Sequence, residues 1–153
     1  MKSGGGKKKG SAFERLVAKQ IVKTFRHYGI KQHECWRSVL SGGHVMSSGD
    51  LAMSDRLLEL FPYSVECKFR KRIYWERFLI KRDLRMSSWE EWKWVEQAKE
   101  GALKREGLHP ILVLKENHGP IYVMNMLDSK RPVLRTLNDF LRPFKKDKKA
   151  KVA

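Results

Sequence analysis

The chain reads as an α/β domain, a central mixed sheet flanked by helices, and three observations carry that reading. Phe13, Leu16, Val17, Ile21, Val22 and Phe25 recur at three- and four-residue steps, the period of a helix with one apolar face. Tyr63 to Phe69 alternates instead, with Tyr63, Val65 and Cys67 on one side and Glu66 and Lys68 on the other, the period of a strand. The order of elements along the chain is helix, three strands, helix, then further strands, and 153 residues suffice for one domain with its own core.

Each element has a local cause. Residues 1–10 are glycine and lysine with nothing to bury, so a disordered basic arm is expected there, ahead of a domain over residues 11–141 and a basic tail over 142–153. Ser11-Ala12-Phe13-Glu14 has the capping-box pattern, placing the first helix start at Ser11 and its end at Gly29. His33 to Val39 reads as a strand, Leu40 to Gly49 as a glycine- and serine-rich loop, and Leu51 to Met53 as a second strand at hairpin-like distance from the third. Ser54 to Phe61 is a short helical or turn connection ended by Pro62, which disfavours helix at Phe61. Arg70 to Arg85 is dense in positive charge, with Ile73, Tyr74, Phe78 and Leu79 compatible with a short helix. Ser88-Trp89-Glu90-Glu91 forms a second capping box, opening a helix to about Arg105 before Gly107, on which Trp89, Trp92 and Trp94 suit packing on the sheet or a second subunit. Pro110 to Leu114 and Ile121 to Met126 are strands joined by a turn at Glu116-Asn117-His118-Gly119, and Leu127 to Phe140 suggests a last helix.

Charge narrows the function classes. The net charge is +16, with four lysines in residues 1–10 and a net five positive charges in residues 142–153, which leaves +7 on the body. Such a field attracts phosphate backbones. No apolar stretch approaches the ~20 residues of a membrane span, and no hydrophobic region follows the lysine-rich leader, so a soluble protein acting inside the cell is expected. Cys35 and Cys67 belong to no Cys-x-x-Cys pair, which favours buried reduced thiols over a zinc site with His33.

The chemistry lies in two short stretches. In Ser64-Val65-Glu66-Cys67-Lys68 an acid and a base share one strand face, and Asp50, after Gly49 in Ser48-Gly49-Asp50-Leu51, can add a second carboxylate. Aspartate is depleted in strands and a carboxylate there needs partners, so neither acid is an ordinary structural choice. Two carboxylates for a hard divalent cation, with an ammonium beside the water that the cation polarises, is the equipment of phosphodiester hydrolysis.

Asp50, fifteen residues and then Glu66-Cys67-Lys68 resemble the PD-(D/E)XK nuclease signature, and the element order resembles the αβββαβ core of restriction-endonuclease-like proteins over residues 11–126. Gly10-Ser11-Ala12-Phe13-Glu14-Arg15 is similar to the start of the first helix in Holliday junction resolvases of the archaeal and phage type. That resemblance implies catalytic and metal roles for Glu14, Asp50 and Glu66, a metal contact from the Cys67 carbonyl, a catalytic Lys68, and Mg²⁺ with Mn²⁺ as a substitute. It implies DNA contacts by Arg15 and Arg37, and by one of Ser41, Ser47 and Ser48 in the loop, among which the residues do not choose. Lys7, Lys8 and Lys9 of the leader and Arg70, Lys71 and Arg72 after the third strand are further candidates for phosphate contact, and Gln97 resembles the glutamine of the second helix in many such nucleases. The implied partner is DNA, preferentially a four-way junction, cut by a homodimer without a small-molecule cofactor. Other branched or duplex DNA, and a non-catalytic basic DNA-binding module, are the alternatives.

Overall fold

The computed structural model describes residues 5–38, 49–79, 89–125 and 133–145. The predicted loop at 40–48, with Ser41, Ser47 and Ser48, therefore lies outside the described residues, as do the segments 80–88 and 126–132 and the end of the basic tail. The elements in chain order are α1 (Gly5–Phe25), β1 (Cys35–Arg37), β2 (Leu51–Met53), α2 (Asp55–Leu60), β3 (Tyr63–Arg70), α3 (Glu76–Leu79), α4 (Glu90–Leu103), β4 (His109–Glu116), β5 (Ile121–Asn125), β6 (Val133–Thr136) and α5 (Leu137–Leu141).

The four-stranded sheet runs β3-β4-β5-β6, with β3 and β4 parallel and the remaining pairs antiparallel, while β1 and β2 form a separate antiparallel ribbon. The parallel pair requires a crossover, which α4 supplies. One face of β3 and β4, through Val65, Cys67, Ile111 and Val113, packs on Phe13, Val17, Ile21 and Phe25 of α1. On the other face Leu112 and Leu114 meet Trp94 and Val95 of α4, together with Ile73 and Phe78. Each fully buried side chain of this size contributes about 1.5–3 kcal/mol. Trp94 thus takes a core role, and Trp92 packs partly buried against the same cluster.

Several expectations change on contact with the fold. Helix α1 starts at Gly5, so residues 5–10 of the expected disordered arm are helical and no capping box forms at Ser11. The Ser11 hydroxyl instead donates to the Lys7 carbonyl one turn back, at 3.0 Å. The α1 stop at Gly29 holds in substance: a 3₁₀ turn over Arg26–Tyr28 follows α1, and Gly29 caps it in the left-handed region at φ 81°. Strand β1 is shorter than 33–39 because Gln32–Glu34 forms a 3₁₀ turn. Helix α4 ends at Leu103 and begins behind Trp89, whose side chain makes no cap hydrogen bond. The last helix shrinks to α5, because Val133–Thr136 pairs with β5 as an edge strand.

Glu34 ties the β1 entry to α2. It is buried, and it accepts from Arg56 Nη2 at 2.7 Å, the Lys31 amide at 2.8 Å and the Ser54 hydroxyl at 3.1 Å. Arg56, the Lys31 amide and Ser54 hold its carboxyl down at about 2, against an ordinary 4.5. A depressed carboxyl contributes stability that is complete above its unfolded value and is lost as pH falls through the folded one. We therefore expect the melting temperature of Glu34→Gln to fall less between pH 5 and pH 2 than that of the parent. Parallel melting curves over that window would count against the assignment.

Candidate active site

The edge of β3 that faces away from β4 organises the site. Gly49 bridges Val65 there in the parallel sense, reached through the α2 connection, so the expected hairpin between the second and third strands does not form. The Asp50 amide donates to the Val65 carbonyl, and the Ser38 amide donates to the Asp50 carbonyl, both at 2.8 Å. Asp50 then does with its side chain what a continuing strand would do with its backbone: Oδ2 accepts from the Cys67 amide at 2.8 Å. Amide and carbonyl of one strand residue point to the same side, so the Cys67 carbonyl faces the edge that Asp50 occupies.

Glycine at 49 is required by this approach. Its φ is +80°, and a Cβ built there would stand 2.5 Å from the Val65 carbonyl oxygen. From α4, Gly101 comes as close from behind, where a Cβ would lie 3.2 Å from the Gly49 nitrogen.

Around Asp50 stand two ion pairs. Lys68 Nζ donates to Glu66 Oε1 at 2.7 Å, with both side chains largely buried. Arg37 Nε of β1 donates to Glu14 Oε2 of α1, joining the ribbon to the helix. Burial, then the charge of Asp50, pushes the Glu66 carboxyl up while Lys68 opposes the shift. Burial also raises Glu14, with Arg37 resisting and Asp50 adding to the rise. Burial, helped by the same carboxylates, holds the Cys67 thiol well above its ordinary range, and burial alone pushes Cys35 up to about 12. Both are free buried thiols.

The donor set fits a hard divalent cation: oxygens only, in carboxylates whose charges raise one another's proton affinity, a repulsion that such a cation relieves. Among the described residues no three His, Cys, Asp or Glu side chains stand together at ligand spacing, Glu14 and Glu66 each being turned to a cation of the protein itself.

Of the sequence candidates, Glu14, Arg37, Asp50, Glu66, Cys67 and Lys68 come together. Arg15 and Gln97 are exposed and take no part in the described hydrogen bonds of that group. Lys7, Lys8 and Lys9 are exposed on the first turns of α1, and Lys7, seven residues before Glu14, lies on the same stripe about 10 Å along the helix. Arg70 donates to Glu90 at 2.9 Å and covers the Trp94 ring at 5.0 Å, while Arg72 stacks on Tyr74 at 4.9 Å and Lys71 is exposed. Sequence reasoning missed Glu91, read only as part of a capping box. It is buried and accepts from Arg77 at 3.1 Å, and Arg77 in turn lies over Tyr74 and Trp89. This pair fastens the basic segment after β3 onto α4, and the only signal for it was an acid among the apolar positions of that helix.

A mixed sheet between α1 and α4, with an aspartate at the start of β2 and Glu-x-Lys along β3, defines a restriction-endonuclease-like nuclease of the PD-(D/E)XK superfamily, proteins that generally use divalent metals. Residues 5–150 match the family described as "Phage putative PDDEXK endonuclease", and the chain belongs to that family. No curated protein and no solved structure gives a significant match. DNA is the substrate class of such an endonuclease. Among the described residues no helix is long and apolar enough to cross a membrane.

Proposed function

We propose that the protein is a Mg²⁺-dependent endonuclease that acts on branched DNA, with the four-way junction as its preferred substrate and a two-fold homodimer as the acting unit. The observation that carries the hydrolytic part is the gathering of Asp50, the Glu66–Lys68 pair and the Glu14–Arg37 pair about the Cys67 backbone. Asp50 and Glu66, with Glu14 and the Cys67 carbonyl, would hold the divalent cation, Mn²⁺ serving as a substitute. When bound, it supplies Lewis-acid polarisation of the scissile phosphate and of the attacking water.

The remaining work falls to the chain. Lys68, held by Glu66, orients the attacking water or neutralises charge that develops on the phosphorane. Arg37 keeps Glu14 turned toward the site and, half exposed, offers its other donors to the flanking phosphate, with Arg15 beside it. Lys7, Lys8 and Lys9, Arg70, Lys71 and Arg72, one serine of 41, 47 and 48, and Gln97 are proposed as outer DNA contacts. The junction and the dimer rest on the Gly10-to-Arg15 resemblance and on symmetry, since paired cuts across a symmetric junction call for a symmetric enzyme.

Cleavage of an immobile four-way junction and a matched duplex, each with Mg²⁺ and with EDTA, tests this reading. Paired nicks in the junction with Mg²⁺ alone, and far slower cutting of the duplex, are expected. Equal cutting of both would leave a nuclease without junction preference. Retained binding without any cutting would leave a basic DNA-binding module.

A further inference from the structure

We infer that Trp36 and the groove beside it form a subsite for one unpaired nucleotide of the substrate, next to the catalytic carboxylates; the inference rests on the nuclease reading above. Trp36 sits in the middle of β1, the outer strand of the ribbon, and 47% of it is exposed, an unusual position for so large an apolar side chain. It walls a groove of about 530 Å³ shared with Lys31, His33, Glu34, Ser54 and Arg56.

The charge of that groove is positive. Both Glu34 oxygens are engaged, by Ser54 and Arg56 on one and by Arg56 and the Lys31 amide on the other, so the acid is neutralised in place. Lys31 is exposed, and the Arg56 side chain is half exposed although its guanidinium also donates to the Gly29 carbonyl. An aromatic face with cations at its rim matches a base attached to its phosphate.

Register puts this groove beside the chemistry. Trp36 pairs with Ala52 across the ribbon, and Asp50, two residues before Ala52, shares that face. The diagonal between such neighbours is about 7–8 Å. Arg37, the next residue, points to the other face and meets Glu14. A strand held at Asp50 therefore passes Trp36 within about one nucleotide. One indole can receive a base only when that base has left its stack, which costs a few kcal/mol in a duplex and least where pairing is already broken. The groove thus favours DNA with an unpaired base next to the cut, the condition that branch points provide.

Binding in EDTA, where hydrolysis is not in play, tests this with the full chain and three labelled DNAs: a duplex, the same duplex with a single-stranded flap, and the flap with abasic residues. The parent should prefer the flap to the duplex. Trp36→Ala should weaken flap binding about tenfold, the scale of one base–aromatic stack, and leave duplex binding unchanged. Trp36→Phe should keep most of the preference, and the abasic flap should bind the parent no better than the duplex. An unaltered flap affinity in Trp36→Ala, an equal loss on flap and duplex, or tight binding of the abasic flap would each overturn the subsite. Failure of the nuclease reading shows separately, as absence of Mg²⁺-dependent cutting by a parent that still prefers the flap.

Discussion

Asp50→Asn and Glu66→Gln are each expected to lose DNA cleavage by ~10²-fold or more, the scale of removing a catalytic group, and to keep DNA binding. Each change removes a negative charge from a cluster where the carboxylates already raise one another's proton affinity, so the surface becomes less repellent to phosphate. The two variants differ in structural cost. Asp50→Asn keeps a side-chain oxygen that can accept from the Cys67 amide, so the edge of β3 stays closed, whereas Glu66→Gln weakens the bond from Lys68 and frees that ammonium. Single-turnover cleavage beside a binding isotherm in EDTA separates the effects. Near-parental turnover in either variant at ordinary Mg²⁺ removes the proposed site.

Gly49→Ala is the second large effect, and it comes from a residue with no chemistry of its own. At φ +80° an L side chain is strained whatever the space around it, and here the new Cβ meets the Val65 carbonyl oxygen at 2.5 Å. No rotamer relieves a clash between a Cβ and a backbone oxygen, so the bridge to β3 must open. The Asp50 carboxylate then leaves the Cys67 amide. Cleavage should fall by at least ~10²-fold, and stability by about 1–3 kcal/mol, the cost of a forced backbone conformation. Gly107→Ala is the control, since Gly107 has φ +83° with nothing within 4 Å of the added methyl. It should lose stability and keep its cleavage rate. Full activity in Gly49→Ala, measured with its melting curve, would mean that the bridge does not position Asp50.

Legibility varied with the distance over which each feature is decided. Glu66 and Lys68 were readable as neighbours because two residues of one strand share a face by backbone geometry alone. The core of α1 was readable for the same reason at helical period, from Phe13 through Phe25. Its start was not, because Gly5 to Gly10 has weak helix propensity and is carried as an extension of a helix that packing already holds. Val133 to Thr136 was misread as helix because a few apolar and β-branched residues suit either period, and pairing with β5 decided between them. Glu14 was singled out by resemblance, and the capping role that competed for it vanishes with Ser11 inside the helix.

By itself, then, the sequence determined the class of fold, the basic field that suits a phosphate backbone, and the residue types of an acid–acid–lysine site, since these follow from composition and from contacts between residues two to four apart. Only the tertiary structure decided how those residues meet. Asp50 finds the Cys67 amide 17 positions away and Arg37 finds Glu14 across 23, while Arg77 reaches Glu91 across 14. Contacts at such separations depend on which strand edge is left open and how closely two backbones approach. Here that comes down to the parallel bridge at Gly49 and the missing side chain that lets it form.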